Sequence, residues 1–266
     1  MKSALAAEEK KLNVTRDRFL DGKIEVLQPS DKGHRSGLDA ILLAASLPAA
    51  SAGVLADLGS GSGVAGIAAI ALRPALSVVL VENNPLMAEL ASRSSGLATN
   101  STLATRIRVL EADVTLTGAN RHNAGMPANS FDTVMMNPPY LDVGTNRTSS
   151  DETRAAAHMM GQGGLDAWMR TANSILIPGG MLTMIYRSQS IGQIIATTQG
   201  RFGDLQIMPV YPKTDRPAKL LLIRAVKGSK APVTFVPPIV IHNEDGSFTT
   251  KTAAILSGDD FLFQDF

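Results

Sequence analysis

The chain has 266 residues, 44% hydrophobic and 18% charged, enough apolar material for one large domain with appendages. The absence of cysteine excludes disulfides and thiolate metal sites, and the four histidines (His34, His122, His158, His242) show no ligand spacing, so no metal is expected. A net charge of +1 does not demand a nucleic-acid partner, no apolar stretch reaches bilayer-spanning length, and no signal-type hydrophobic region opens the chain, so no membrane contact and a cytoplasmic location are expected.

Residues 1–13, rich in Ala, Glu and Lys, read as a frayed helix. Asp21-Gly22, between the apolar-containing arms of residues 18–27, signals a hairpin. Residues 38–47 read as a helix with Asp39 in its first turn, where a carboxylate meets the helix dipole favourably. A buried strand at 54–58 runs into Gly59-Ser60-Gly61-Ser62-Gly63, and an Ala-rich helix follows at 64–72. Then come strand 77–82, helix 85–99, strand 107–111 and strand 131–136, the last leading into Asn137-Pro138-Pro139-Tyr140. Residues 141–162, polar and containing Gly, Ser and Thr, read as a loop that orders on substrate. Helix 165–176, the turn Pro178-Gly179-Gly180, strand 181–186 and helix 188–201 follow. Strands 205–210 and 220–226 form an antiparallel pair. The alternation implies an α/β fold, a parallel sheet wrapped on both faces with ligands beyond the strands' carboxyl ends. Residues 1–50 form an extension, 51–230 the core, and 231–266 a tail expected to pack on it.

The glycine loop permits tight turns and close approach of a ligand to the main chain. Gly61-x-Gly63-x-x-Gly66 fits a dinucleotide fingerprint, whereas Asp57-x-Gly59-x-Gly61-x-Gly63 resembles motif I of class I S-adenosylmethionine-dependent methyltransferases. Asp57 is unneeded by a pyrophosphate but useful beside a cationic methionyl ammonium. Glu82, 19 residues after Gly63, suits a carboxylate accepting from ribose hydroxyls, and Asp113 can accept from an adenine amine. In Asn137-Pro138-Pro139-Tyr140, the Asn137 side-chain oxygen and the Pro138 carbonyl offer two acceptors to one planar NH2 group. Pro139 stiffens the turn, and the Tyr140 ring gives a stacking face. Loop, ribose acid, adenine acid, then catalytic turn is the order found in methyltransferases.

With these residues in hand, the chain resembles the bacterial adenine-N(6) methyltransferases that modify the adenine beside the anticodon of a valine tRNA. Gln28-Pro29, Gly33-His34-Arg35-Ser36-Gly37-Leu38-Asp39-Ala40, the Asp57–Gly63 loop, Asn137–Tyr140, and the carboxyl part from Arg216 through His242 carry the likeness. The resemblance implies a Rossmann-like fold: a mostly parallel seven-stranded sheet with an antiparallel last strand. It implies S-adenosylmethionine as cofactor, held by Gly37, Asp39, Asp57, Gly59, Gly61, Gly63, Glu82, Asn83, Asp113 and Val114, with Asn137, Pro138 and Tyr140 catalytic. It implies tRNA as partner, captured by His34, Arg35, Arg147, Arg154, Lys213, Arg216 and Lys219. Between Arg201 and Lys230 seven basic residues face two acidic ones. That segment reads equally as a phosphate-binding surface or as a solvated hairpin balanced by the acidic tail. Monomer and homodimer stay open.

Other amines compete as acceptors. Glutamine methyltransferases of release factors share the Asn-Pro-Pro-Tyr turn but carry a helical domain ahead of motif I, and only 53 residues precede Val54 here. Guanine-N(2) enzymes of ribosomal RNA usually place Phe where Tyr140 stands. A nicotinamide-dependent oxidoreductase would leave residues 137–140 idle, and a noncatalytic RNA-binding module would leave the pocket acids idle.

Overall fold

The computed structural model describes residues 14–30, 36–139 and 163–263. Strands β1 (Val14–Phe19) and β2 (Ile24–Pro29) form the antiparallel hairpin, whose turn holds Leu20, Asp21 and Gly22 at positive φ. Helix α1 spans Leu38–Ala45. Then β3 (Gly53–Leu58), α2 (Val64–Leu72), β4 (Leu76–Glu82), α3 (Pro85–Ser95) and β5 (Ile107–Glu111) alternate. Helix α4 (Gly118–Asn123) and β6 (Phe131–Met136) follow, then α5 (Gly164–Ile175), β7 (Leu176–Arg187) and α6 (Ile191–Thr198). The chain closes with β8 (Phe202–Tyr211), β9 (Leu220–Lys227), the short β10 (Thr234–Phe235) and β11 (Ile239–Val240), and α7 (Thr250–Ser257).

Local chemistry explains the boundaries. Asn84 caps α3, its Oδ1 accepting from the amides of Leu86 (3.0 Å) and Met87 (3.3 Å), and Pro85 fills the first helical position, where no N–H is missed. The helix ends at Ser95, short of the expected 99, because Gly96 weakens it and a separate 3-10 turn forms at Ala98–Asn100. Thr249 caps α7, and Gly258 ends it in the left-handed conformation at φ 80°. Neither α4 nor α7 was expected from the sequence. Both are short, and α4 carries almost no apolar residue.

The main sheet has nine strands in the order β10-β8-β9-β7-β6-β3-β4-β5, with β11 also paired to β8. Seven of them form the expected sheet, and β9 is antiparallel to β7 and β8. The tail adds the two short strands parallel to β8, and Pro232, Pro237 and Pro238 keep them short. Successive residues alternate between two cores. Leu55, Val78, Leu80 and Met135 pack against α1 and α2, while Ala56, Leu58, Val81 and Met136 pack against α5.

The tail also seals the α1 side. Leu262 N–H donates to the Ala45 carbonyl at 3.1 Å. Phe261 lies under the Arg73 guanidinium (4.0 Å) and Phe263 under that of Arg224 (4.4 Å). Both arginines are buried. Carbonyls serve them, Pro48 and Leu47 for Arg73 and Ser46 for Arg224, so the cations rest on backbone dipoles. Burial lowers the Arg73 pKa.

Candidate active site

The site lies where the sheet reverses its order. From β3 the chain steps outward to β4 and β5, then returns to place β6 on the other side of β3. Leu58, the last residue of β3, pairs in register with Met136, the last of β6, and with Val81 of β4. One step further, Gly59 opens the glycine loop and Asn137 opens the proline turn. The two motifs are thus carried by adjacent strand ends.

The loop backbone is pinned from β4. Gly59 and Ser60 N–H both donate to the Val81 carbonyl (2.8 and 3.0 Å), and Gly61 N–H donates to Glu82 Oε2 (2.8 Å). Gly59, Gly61 and Gly63 have φ of 70°, 56° and 92°, a region costly for any residue with a Cβ. A Cβ on Gly59 would strike the buried indole of Trp168. At Gly66 the reason differs: α2 approaches the sheet so closely that a Cβ would strike Leu80 and crowd Val78 and Asp57 Oδ2.

The acids divide by environment. Asp57 is 2% exposed, and its Oδ2 has no hydrogen-bond partner among the described residues. Burial pushes its carboxyl up to about 7; the Gly66 amide opposes this, and the charge of Glu82 adds to it. Glu82 is also buried, but both oxygens are used, Oε2 by Gly61 and Oε1 by the amide of Asn84 (2.8 Å). It therefore shapes the loop, and a carboxylate's remaining lone pairs stay available to hydroxyls. Asp113 is exposed beyond the end of β5. Its Oδ1 accepts from Thr115 N–H (2.7 Å) and Oγ1 (2.8 Å). Asn83 is exposed and Val114 buried beside these acids.

Gly37 and Asp39 begin α1, whose approach is fixed by Gln28. Its Oε1 accepts from Ser36 N–H (2.8 Å), while its Nε2 donates to the Ser36 carbonyl (3.1 Å) and to Asp17 (2.6 Å). Asn137 and Pro139 are half-buried and Pro138 is buried. Tyr140, His34, Arg35, Arg147, Arg154, the expected loop 141–162 and the expected amino-terminal helix lie outside the described residues. Lys213, Arg216 and Lys219 occupy the β8–β9 connection. Because Leu220 pairs with Arg187 at the end of β7, that connection sits at the same sheet edge as Asn137. Lys213 Nζ donates to the Glu244 carbonyl (2.8 Å) and Arg216 pairs with Asp215 (3.5 Å), while Lys230 is exposed. Three others serve the structure: Arg224 is buried, Arg201 pairs with Asp166 (2.9 Å), and Lys227 donates to Asn129 and Leu176.

A family model, the methyltransferase small domain, matches residues 35–208. The chain belongs to this family. A relative in Serratia proteamaculans, named tRNA1(Val) (adenine(37)-N6)-methyltransferase, is 26% identical over 229 residues, 85% of this chain and 83% of its own. A Chlorobaculum tepidum relative, named release factor glutamine methyltransferase, is 25% identical over 204 residues, 74% of this chain and 67% of its own. A solved structure from Agrobacterium tumefaciens, described as a predicted O-methyltransferase, is 38% identical with a TM-score of 0.72, covering 84% of this chain and 97% of that one.

This member of the small-domain family is an S-adenosylmethionine-dependent methyltransferase, and its residues fit that cofactor. The Asp57 Oδ2 and the hydroxyls of Ser60 and Ser62 are buried around the glycine loop without partners among the described residues, polar capacity that a ligand can use. The sequence assigned no role to Ser60 and Ser62. It also missed Trp168 and Thr171 of α5, which reach the site only through tertiary packing and leave no spacing signal. Among the described residues, no helix is long and apolar enough to cross a membrane, and no His/Asp/Glu cluster could hold a metal ion.

Proposed function

We propose that this methyltransferase acts on the exocyclic amine of an adenine in tRNA, beside the anticodon, in the cytoplasm. The observation that carries the reading is the adjacency of the Asn137-Pro138-Pro139 turn and the glycine loop on paired strand ends. Relatives named for that reaction add support.

An adenine amine is a weak nucleophile because its lone pair is delocalised into the ring. In this reading, Asn137 Oδ1 and the Pro138 carbonyl each accept one N–H, favouring a pyramidal nitrogen with its lone pair free. Pre-oriented dipoles that need not reorganise make such a clamp effective without a strong base. S-adenosylmethionine, when bound, supplies a sulfonium methyl whose C–S bond breaks as the N–C bond forms, leaving a neutral thioether. The methylated amine then gives up one proton past the clamp to water. Glu82 and Asp113 would hold the ribose and adenine of the cofactor, and Asp57 would serve its cationic methionyl end. Tyr140 stacks on the target base, and Lys213, Arg216 and Lys219 meet phosphates.

A protein glutamine amide is the second reading, since it presents the same planar NH2 and a relative carries that name. An oxygen acceptor has no pair of N–H bonds for the clamp to receive. The deciding experiment incubates the protein and deuterated-methyl cofactor with total unmodified RNA and, separately, with release factor. Labelled N(6)-methyladenosine confined to tRNA supports the proposal; label in N(5)-methylglutamine, or in neither pool, refutes it.

A further inference from the structure

We infer that Thr171, on α5, is a positioning residue for recognition of the cofactor's adenine: its hydroxyl holds the Val114 carbonyl and thereby fixes the Asp113 carboxylate. This rests on the cofactor half of the reading above and on no particular methyl acceptor.

Thr171 is 2% exposed, and its Oγ1 donates to the Val114 carbonyl at 2.7 Å. The two residues are 57 positions apart in sequence, one on α5 and the other in the turn after β5. The turn after β5 has its own restraints. Ala112 N–H donates to the Glu82 carbonyl (2.9 Å), Leu116 N–H to the Asp113 carbonyl (3.2 Å), and Thr115 to Asp113 Oδ1. Those bonds shape the turn locally. The Thr171 bond ties it to a helix whose Trp168 lies against Gly59. One rigid element therefore gauges two parts of the cofactor pocket, the glycine loop and the acid beyond β5.

Only a hydroxyl at this position supplies the tie. Valine matches threonine in shape, fills the same buried space, and leaves the Val114 carbonyl unserved. The expected consequence is a turn free to shift, with Asp113 no longer aimed at an amine. S-inosylhomocysteine offers the test, because inosine presents a carbonyl oxygen where adenosine presents the amine. A fixed carboxylate repels that oxygen and a displaced one does not.

The experiment measures binding of S-adenosylhomocysteine and S-inosylhomocysteine by calorimetry to wild type, Thr171→Val and Thr171→Ser. Wild type should prefer the adenosine ligand by about tenfold. Thr171→Val should lower affinity for that ligand by about tenfold and for the inosine ligand by less than about twofold, erasing the preference. Thr171→Ser, which keeps the hydroxyl, should stay within about twofold of wild type for both. Equal losses for both ligands in Thr171→Val, no loss for either, or no preference in wild type would overturn the inference. If wild type bound neither ligand, the cofactor assignment itself would fail instead. Should Thr171→Val not fold, Thr171→Ala, which also removes the hydroxyl, takes its place with the same expected split: loss for the adenosine ligand and little for the inosine one. Equal losses for both ligands would refute the inference.

Discussion

Asp57→Asn should make the protein more stable and its cofactor site worse, with a pH signature that isolates the cause. The buried carboxyl titrates near 7 in the folded protein, against an ordinary value of 3.8. Between those values the folded protein keeps a proton that the unfolded chain has released. Stability therefore falls as pH rises through that window, by about 1.4 kcal/mol per unit, and levels off above it. Three units give a ceiling of about 4 kcal/mol at pH 8. Asparagine carries no charge to desolvate, but its NH2 replaces the unpartnered Oδ2 and leaves a buried donor costing about 1–3 kcal/mol. The net expectation is a variant about 1–3 kcal/mol more stable than wild type at pH 8 and equal or less stable at pH 4.

Denaturant unfolding of both proteins from pH 4 to 8.5 gives the difference curve, in which all other titrating groups cancel. It should decline between about 4 and 7 and be flat above. A flat difference throughout, or one of opposite slope, would show that Asp57 is ionised in the fold and refute the reasoning. A cation near Asp57 favours the charged form, so S-adenosylmethionine binding at pH 6 should release close to one proton in wild type and almost none in the variant. Calorimetry in buffers of different ionisation enthalpy reads that number. Glu82 is the acid whose charge reaches Asp57, and α2 brings it no charged side chain.

Other perturbations separate the parts of the site. Asn137→Ala should reduce methyl transfer at least about a hundredfold while S-adenosylhomocysteine affinity stays within about threefold; near-normal turnover would dismiss the clamp. Gly66→Ala should force α2 from the sheet, because its Cβ meets Leu80, Val78 and Asp57, and lower stability by about 1–3 kcal/mol in thermal or denaturant unfolding. Replacing Lys213, Arg216 and Lys219 together by alanine should flatten the salt dependence of RNA binding by about 2 logarithmic units of slope, and an unchanged slope would remove them from the interface.

What the sequence revealed follows from where information is local. The helix 64–72 and the strands 107–111 and 131–136 match the structure residue for residue, because each is bounded by glycine, proline or an acid and has a clear apolar run. The two motifs were also legible, since a strand tip compresses a binding function into a few consecutive residues. The cofactor contributions of α5 were not: Thr171 and Trp168 look like ordinary members of an amphipathic helix. The basic segment's composition left two readings open. Arg224 counts as a cation in sequence but lies buried over Phe263, while Lys213, Arg216 and Lys219 share an edge with the site only because β9 runs antiparallel.

That antiparallel strand also separates the charges. Asp57, Glu82, Glu111 and Asp113 cluster at the carboxyl ends of β3, β4 and β5, while Arg187, Lys213, Arg216 and Lys219 gather where β7 and β8 end and β9 begins, with Asp215 beside Arg216 and the Glu244–Asp245 segment beside Lys213. The junction of β3 and β6 divides an acidic half from one of mixed charge that carries four cations. A cationic methyl donor is attracted to the first, and the RNA acceptor proposed above would meet the cations of the second. Methyl transfer discharges the sulfonium, so the product loses part of its attraction to the acidic half at the moment the reaction is complete. The same geometry predicts that S-adenosylmethionine binds more tightly than S-adenosylhomocysteine at low salt. Raising the salt should narrow that difference only in part, because the exposed Glu111 and Asp113 are screened while the buried Asp57 and Glu82 are screened poorly. Equal affinities for the two ligands at pH 8 and low salt would mean that the acids serve hydrogen bonding alone.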